Sequence, residues 1–479
     1  MDAKTDLKPI ELEELENSPV DSVPAQEGWL PLDDSPCNPR NWPEWKKNAQ
    51  IVLASMHCMV AAFQAAGVIP SYNTLSKVYD CSLPNASYFV STQILMLGVS
   101  PPFWHALTVK YGRYHVQLLS VICSMLFNIA GAKSSTYQAQ LATRILTAFF
   151  ASPPLGNGSG IVADLCAVEH RGQKMGFWVL STVLGTPAGP LIMGFVIQHL
   201  AWQWMFWIFA MMNAVLVVGY LVIGVETRYR PSDSTTPVRA VPDRRSPMRF
   251  LASMVPRSIR ESPFRAIDIV SPLSLARYPR IMIPAFASAV TFCYGHIALM
   301  AEMPIWMGQK FHMDAQDIGL QFLSVIVGAI LGEIVAGLVS DRFMGMMRKR
   351  RGRMHPSDRL WLAYICYITM FPGMLMWGFL LQKATSWNVG PDVGIAIANF
   401  GNQIQLTILI TFSVDCHRDK ADAIGVFYNF VRLVYGFLGP FYMPLMFNAL
   451  GLARSAGVFC GIMAGLALVP LVFLHYIYR

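Results

Sequence analysis

Twelve long apolar stretches, parted six and six by an Arg-rich polar segment at residues 226–280, leave this chain few folds to adopt. A hydrocarbon core of ~30 Å takes about 20 helical residues per crossing. Stretches of roughly that length start near Asn48, Ala86, Tyr114, Gln138, Gln173, Trp202, Ile281, Gln316, Leu360, Pro391, Ala421 and Leu452. The expected fold is an all-α membrane protein with twelve transmembrane helices in two six-helix bundles. Its parts are a disordered cytoplasmic tail (1–43), an N-terminal bundle (44–225), a cytoplasmic connector (226–280) and a C-terminal bundle (281–479). A 54% hydrophobic, 14% charged composition with mean hydropathy +0.41 is far from that of a soluble protein.

A formal charge of +8 invites a nucleic-acid reading, which the placement of the basic residues removes. With the N-terminus in the cytoplasm, all but seven of the 37 Lys and Arg fall on cytoplasmic segments. Lys77, Lys133, Lys310, Lys383 and Arg454 are the outer exceptions, and Arg144 and Arg432 lie within spans. This asymmetry orients the protein in the bilayer with both termini cytoplasmic, and no nucleic-acid partner is needed. Nine scattered cysteines without a CxxC pair give neither a disulfide framework nor a metal site. No cleavable signal peptide is expected, because the first apolar segment follows an acidic tail and is long enough to stay in the membrane. Asn85-Ala86-Ser87 is a glycosylation sequon in the outer loop before span two.

The connector holds eleven Arg and no Lys, a composition suited to anionic headgroups. Within it Met248, Phe250, Leu251, Met254, Val255 and Ile259 have the spacing of a short interfacial helix. Arg348, Lys349, Arg350 and Arg351 are expected in a loop joining spans eight and nine, as a solvated topology anchor. Span five carries Gly176, Gly185, Gly189, Pro190 and Gly194, and span eleven, six helices later, carries Gly436, Gly439 and Pro440. Glycines at these spacings let a neighbouring backbone approach closely, and proline permits bending. Lys110-Tyr111-Gly112-Arg113 is expected in the loop after span two, and Gly337-Leu338-Val339-Ser340-Asp341-Arg342 in the loop after span eight.

At these residues the chain resembles the major facilitator superfamily, from about Asn38 to the C-terminus. Span five is similar to the antiporter motif of its drug:proton exporters, with Met193 where the motif has its first paired glycine. The segment from His105 to Tyr114 resembles the superfamily's loop motif, with His105 and Val109 replacing the leading glycine and the aspartate, whereas Asp341 keeps the aspartate in the second half. Lys110, Gly112, Arg113, Asp341 and Arg342 are thereby implied to form the cytoplasmic gate. Arg144 in Arg144-Ile145-Leu146-Thr147-Ala148 is similar to the fourth-helix arginine motif. The segments Asn38-Pro39-Arg40-Asn41-Trp42-Pro43 and Gly224-Val225-Glu226-Thr227-Arg228 resemble fungal members of the drug and polyamine exporter branch.

Ionisable groups inside spans each cost roughly 2.5 to 3.5 kcal/mol at a helix centre unless paired or hydrated. Arg144, Glu302, Glu333 and Arg432 stand out. Either they form ion pairs between helices, or one carboxylate carries a proton; Glu302 is the first candidate and Glu333 the second. Substrate-cavity candidates are Arg144, Arg432, Gln64, His57, His296, Asn399, Asn402 and Gln403, with Gln405 turned away from the last three by helical spacing. Lone membrane histidines and amides also serve as interhelical packing groups. Trp306, Trp361, Trp377, Trp387, Trp202, Trp204 and Trp207 lie near span ends as interface anchors.

The absence of a GxxxxGK[ST] loop and of any catalytic or metal-ligand arrangement argues against ATP as the energy source and against an enzyme. The expectation is a monomeric proton-coupled antiporter in the plasma membrane, with no cofactor and no metal, exchanging protons for amphiphilic organic molecules such as drugs, toxins or secondary metabolites. A proton symporter importing a nutrient or metabolic intermediate stays open, as do a vacuolar or peroxisomal metabolite transporter and a sensor on the same scaffold.

Overall fold

A computed structural model describes residues 38–166, 168–228, 267–351, 356–417 and 420–478. The tail to residue 37, most of the connector and the expected interfacial helix at 248–259 lie outside them. The first half comprises α1 (Glu44–Ala66), α2 (Leu83–Val99 continued by Pro101–Tyr111), α3 (Arg113–Ala132), α4 (Tyr137–Ala151 continued by Pro153–Leu165), α5 (Val168–His199) and α6 (Gln203–Val222). In the second half, α7 runs from Pro279–Phe292 through a π turn, Cys293–Ile297, into Ala298–Phe311. It is followed by α8 (Ala315–Arg351), α9 (Leu360–Lys383), α10 (Gly390–Cys416) and α11 (Ala421–Leu450). The last helix, α12, runs from Leu452–Met463 through a second π turn, Ala464–Leu468, into Val469–Ile477.

Among the described residues, ten helices are individually long and apolar enough to cross a membrane. The other two passages, α2 and α4, are each two helices in series, broken at Ser100 and Ser152 where proline doublets begin the second piece. Proline lacks the N–H that would continue the preceding ladder, yet its fixed φ suits a new first turn. Six passages per half bring both ends of the described chain and its connector to one face of the molecule, here the connector end.

Two expected loops are helical. Gly337 to Arg342 and the basic run 348–351 belong to α8, which is 37 residues long and so ~55 Å, well beyond a ~30 Å hydrocarbon core. Lys and Arg are good helix formers and are favoured at a helix C-terminus, so the basic run extends the helix into water instead of ending it. Lys110 and Tyr111 likewise finish α2 and Arg113 starts α3, with Gly112 alone between them at φ 88°.

The first helix of each half is central: 78% of the most apolar stretch of the α1 segment is buried and 83% of that of α7, against 22% for α11. The outward faces stay apolar, with Val215, Ile368, Leu445 and Phe473 each more than 60% exposed, as a lipid-facing surface requires. Trp377 departs from the interface role expected of it: the ring is wholly buried, 5.8 Å from Phe447. The halves join along α5 with α8, and along α11 with α2 and α4.

Candidate functional site

In the first half the polar core is assembled around Arg144. Nη2 donates to the carbonyl oxygens of Gln64 (2.7 Å) and Ala65 (3.4 Å), and to the side chain of Gln93. Those carbonyls belong to the last turn of α1, where no intrahelical N–H reaches them and the helix dipole favours a cation. The rings of Phe206 and Phe209 stand 5.8 and 6.0 Å from the guanidinium carbon. Gln64 Oε1 accepts from Asn128 (3.0 Å) and Asn213 (3.3 Å), so α1, α3, α4 and α6 share one network. Nε and Nη1 of Arg144 are buried with no acceptor. His57 bonds Tyr220 at 3.1 Å and Ser120 at 3.5 Å, both inside the same half.

Across the seam, Glu302 lies on the segment of α7 that follows the π turn. It is 1% exposed, has the Trp306 indole N–H as its neighbouring donor and makes no ion pair with any described residue; Oε2 is fully sealed. Tyr72, buried just beyond the end of α1, is within electrostatic reach of both Arg144 and Glu302. A small cavity between the halves at the end opposite the connector is lined by Tyr72 and Asn73 on one side and Pro304 and Gly308 on the other.

The second half presents a different arrangement. His296 Nδ1 bonds Asn399 Oδ1 at 2.6 Å and stacks on Phe292, whose ring carries the Arg432 guanidinium at 3.9 Å. Glu333 Oε2 accepts from Gln403 Nε2 (2.7 Å) and Thr407 Oγ1 (2.8 Å), tying α8 to α10. Asn402 is buried without a hydrogen bond to any described residue, and Gln405 turns to Thr291 and Tyr367. Neither span arginine pairs with a span carboxylate; the ion-pair alternative is absent among the described residues.

The span-five glycines divide by neighbour. A β-carbon on Gly185 or Gly189 would stand 2.4 Å from the carbonyl oxygen of Met59 or Phe63, both on α1 of the same half. One on Gly194 would meet Ala315 and Gly319 of α8, as Gly319 in turn meets the carbonyl of Pro190, so that end of α5 sits on the seam. Gly176 leaves 3.8 Å to Glu333 Oε1, ordinary contact.

At the connector end, Arg113 Nη1 pairs with Asp164 at 2.7 Å, while Glu226 accepts from the backbone N–H groups of Arg113 and Tyr114, capping α3. The second half repeats the device: Arg359, at the start of its third helix, pairs with Asp415 near the end of its fourth at 2.8 Å. Lys110 lies over Tyr111, Arg342 is exposed, and the side chain of Asp341 is outside the described set. Asp164, Arg359 and Asp415 escaped the sequence reading because each lies at a span end, where a charge is unremarkable. The six-helix repeat was the signal available for finding them. Tyr72 and Phe292 escaped because an aromatic residue in an apolar run has no distinguishing pattern.

A family model described as Major Facilitator Superfamily matches residues 54–440. The chain is 24% identical to the efflux pump radE of Floropilus chiversii, over 92% of this chain and 82% of the relative. It is 26% identical to the MFS-type transporter atr4 of Stereocaulon alpinum, over 93% and 80%. Among solved structures, the human organic anion transporter MFSD10 superposes with TM-score 0.60 at 16% identity, covering 90% of this chain and all of that one, a likeness of fold.

Proposed function

The chain belongs to the major facilitator superfamily of membrane transporters, and we propose that it exports amphiphilic organic compounds in exchange for protons by alternating access. The observation that carries the coupling is Glu302, a carboxylate buried beside the seam with an uncharged donor, Trp306, and no cation partner among the described residues. Desolvation is costly for such a group as an anion and not as an acid, so its proton occupancy is linked to whether the seam around it is open. Export is supported by the efflux pump of Floropilus chiversii among the relatives. In this reading the connector end faces the cytoplasm of a plasma-membrane protein that acts as a monomer and requires no ATP.

The halves have contacts suited to opening at either end. Opposite the connector they meet through Gly194 and Gly319; nearer it, through Asn429 Nδ2 on the Leu155 carbonyl at 2.7 Å and through Gly425 and Gly156. Small residues at close approach, the Asn429–Leu155 bond and a second bond between His199 and Gln316 at 3.0 Å span these seams. The test is proton movement in proteoliposomes containing a pH-sensitive dye, after addition of a panel of amphiphilic fluorescent compounds under an imposed pH gradient. Wild type should couple compound and proton flux, and Glu302→Gln should abolish the coupling while compound exchange at equal pH persists. Normal gradient-driven flux in Glu302→Gln would remove Glu302 from the mechanism.

A further inference from the structure

We infer that Arg432 is an unfilled anion anchor and that the cargo is an organic anion with an aromatic or flat apolar body, which settles its charged group on Arg432 beside Phe292. The inference rests on the transport reading above. Arg432 forms no ion pair and no hydrogen bond with any described residue, yet none of its nitrogens is sealed. Arg144 differs, with Nη2 satisfied by the end of α1 and Nε and Nη1 shut away from any ligand. Arg432 is partly exposed, so the question is what it is exposed to.

Lipid is excluded by the geometry of α11. Leu438, Phe441 and Leu445 are 50%, 43% and 69% exposed and mark its lipid face. At 100° per residue they lie roughly 180–240° around the helix from Arg432, on its far side. Its neighbours in sequence face the other half of the protein: Asn429 bonds the Leu155 carbonyl of α4, and Leu433 packs on Gly98 of α2. The free guanidinium edge therefore opens inside the protein, one residue from the seam, where bound cargo touches both halves.

The site is also built. With its guanidinium carbon 3.9 Å from the centre of the Phe292 ring and no N–H donated to any described residue, Arg432 keeps free the fork that matches a carboxylate. Phe292 also stacks on His296, and His296 is fixed by Asn399 at 2.6 Å. Asn402, one turn along α10 from Asn399, is buried with its amide unused by any described residue. A cation, a platform and a spare amide are the parts that recognise a carboxylate on an apolar body.

The experiment measures binding to purified full-length protein in nanodiscs at equal pH on both sides, using three probes of one shape: 2-naphthoate, neutral 2-naphthamide and 2-naphthylmethylammonium. Wild type should bind naphthoate at least tenfold more tightly than the amide and reject the ammonium. Arg432→Gln should bring naphthoate and amide within twofold of each other, Arg432→Lys should retain part of the preference, and Phe292→Leu should weaken both. Absence of naphthoate binding, preference for the ammonium, or a preference that survives Arg432→Gln would overturn the assignment. Should Arg432→Gln fail to fold, Arg432→Lys and Phe292→Leu decide it: an unchanged preference in the first together with unchanged affinities in the second overturns it. No gradient is involved, so a loss of proton coupling leaves this result intact, and a protein that couples protons yet ignores charge on the probe refutes the anchor alone.

Discussion

Gly194 of α5 and Gly319 of α8 meet backbone to backbone across the two halves: a β-carbon on Gly194 would stand 3.1 Å from the Gly319 Cα and 2.6 Å from the Ala315 carbonyl oxygen. Overpacking costs roughly 1–3 kcal/mol. Placed on one conformation of a two-state transporter, it shifts their ratio by roughly 5–150-fold. Gly194→Leu and Gly319→Leu should therefore hold this seam open, cutting flux at least about tenfold while leaving membrane insertion and expression intact. Flux in proteoliposomes at matched protein level, with thiol labelling of Asn73→Cys to report opening, checks it; wild-type flux and labelling would mean the seam never has to close.

Gly185 and Gly189 should behave differently, since they are packed against α1 within one half. Gly185→Ala and Gly189→Ala push on carbonyl oxygens 2.4 Å away and should lower the melting temperature in detergent, by the equivalent of ~1–3 kcal/mol. Gly176→Ala meets nothing nearer than 3.8 Å and should melt as wild type. Loss of flux per folded molecule with unchanged melting in the first two would instead assign them to gating.

The division among these glycines shows what was legible in the sequence. Twelve passages were readable because a bilayer imposes a length and an apolarity on every crossing, and the starts of α9, α11 and α12 fall where the apolar runs begin. Nothing in a Gly-x3-Gly spacing says which helix will approach, so Gly189 against Phe63 and Gly194 against Gly319 look alike in one dimension. The loops misread inside α8 have the same origin: polarity at Ser340 and Asp341 marks the membrane's edge, and the helix does not end there. Arg144, Glu302, Glu333 and Arg432 stood out because charge is rare in a span, whereas their want of mutual pairing depends on three-dimensional placement.

Glu333 differs from Glu302 in having two donors, Gln403 at 2.7 Å and Thr407 at 2.8 Å. The carbonyl oxygen of a glutamine can accept both, so Glu333→Gln should retain much of its gradient-driven flux, where Glu302→Gln loses it. Gln403→Leu leaves a buried acceptor with one donor fewer and should destabilise by ~1–3 kcal/mol. The reverse order of the two Glu→Gln variants in the proton-flux assay would exchange their roles.

Asn85 is exposed in the first turn of α2, at the end of the molecule opposite the connector. Fluorescent tags should place both termini in the cytoplasm, and an endoglycosidase should shift the mass of wild type but not of Asn85→Gln. A terminus outside the cell would reverse the orientation, and an unshifted wild type would leave the sequon unused.

The two clamps at the connector end offer the last prediction. Arg113 is almost wholly buried and Asp164 one-third exposed, so removing the carboxylate takes the close 2.7 Å anionic acceptor from a guanidinium that solvent reaches poorly and that keeps Thr227 Oγ1 at 3.5 Å. With solvent screening of the partly exposed partner, Asp164→Asn should cost about 1–3 kcal/mol. Arg359 and Asp415 are each partly exposed, and the second acceptor of Arg359, Ser340 Oγ at 2.9 Å, is closer than that of Arg113, Thr227 Oγ1 at 3.5 Å. Asp415→Asn should accordingly lower the melting temperature less than Asp164→Asn. Both pairs lie within a half, between its third and fourth helices, so loss of either should loosen that half without preventing the halves from separating. A double-mutant cycle with Arg113→Gln should recover part of the Asp164→Asn loss, because the buried charge goes with it. Strictly additive losses would show that Arg113 and Asp164 act separately despite their 2.7 Å approach.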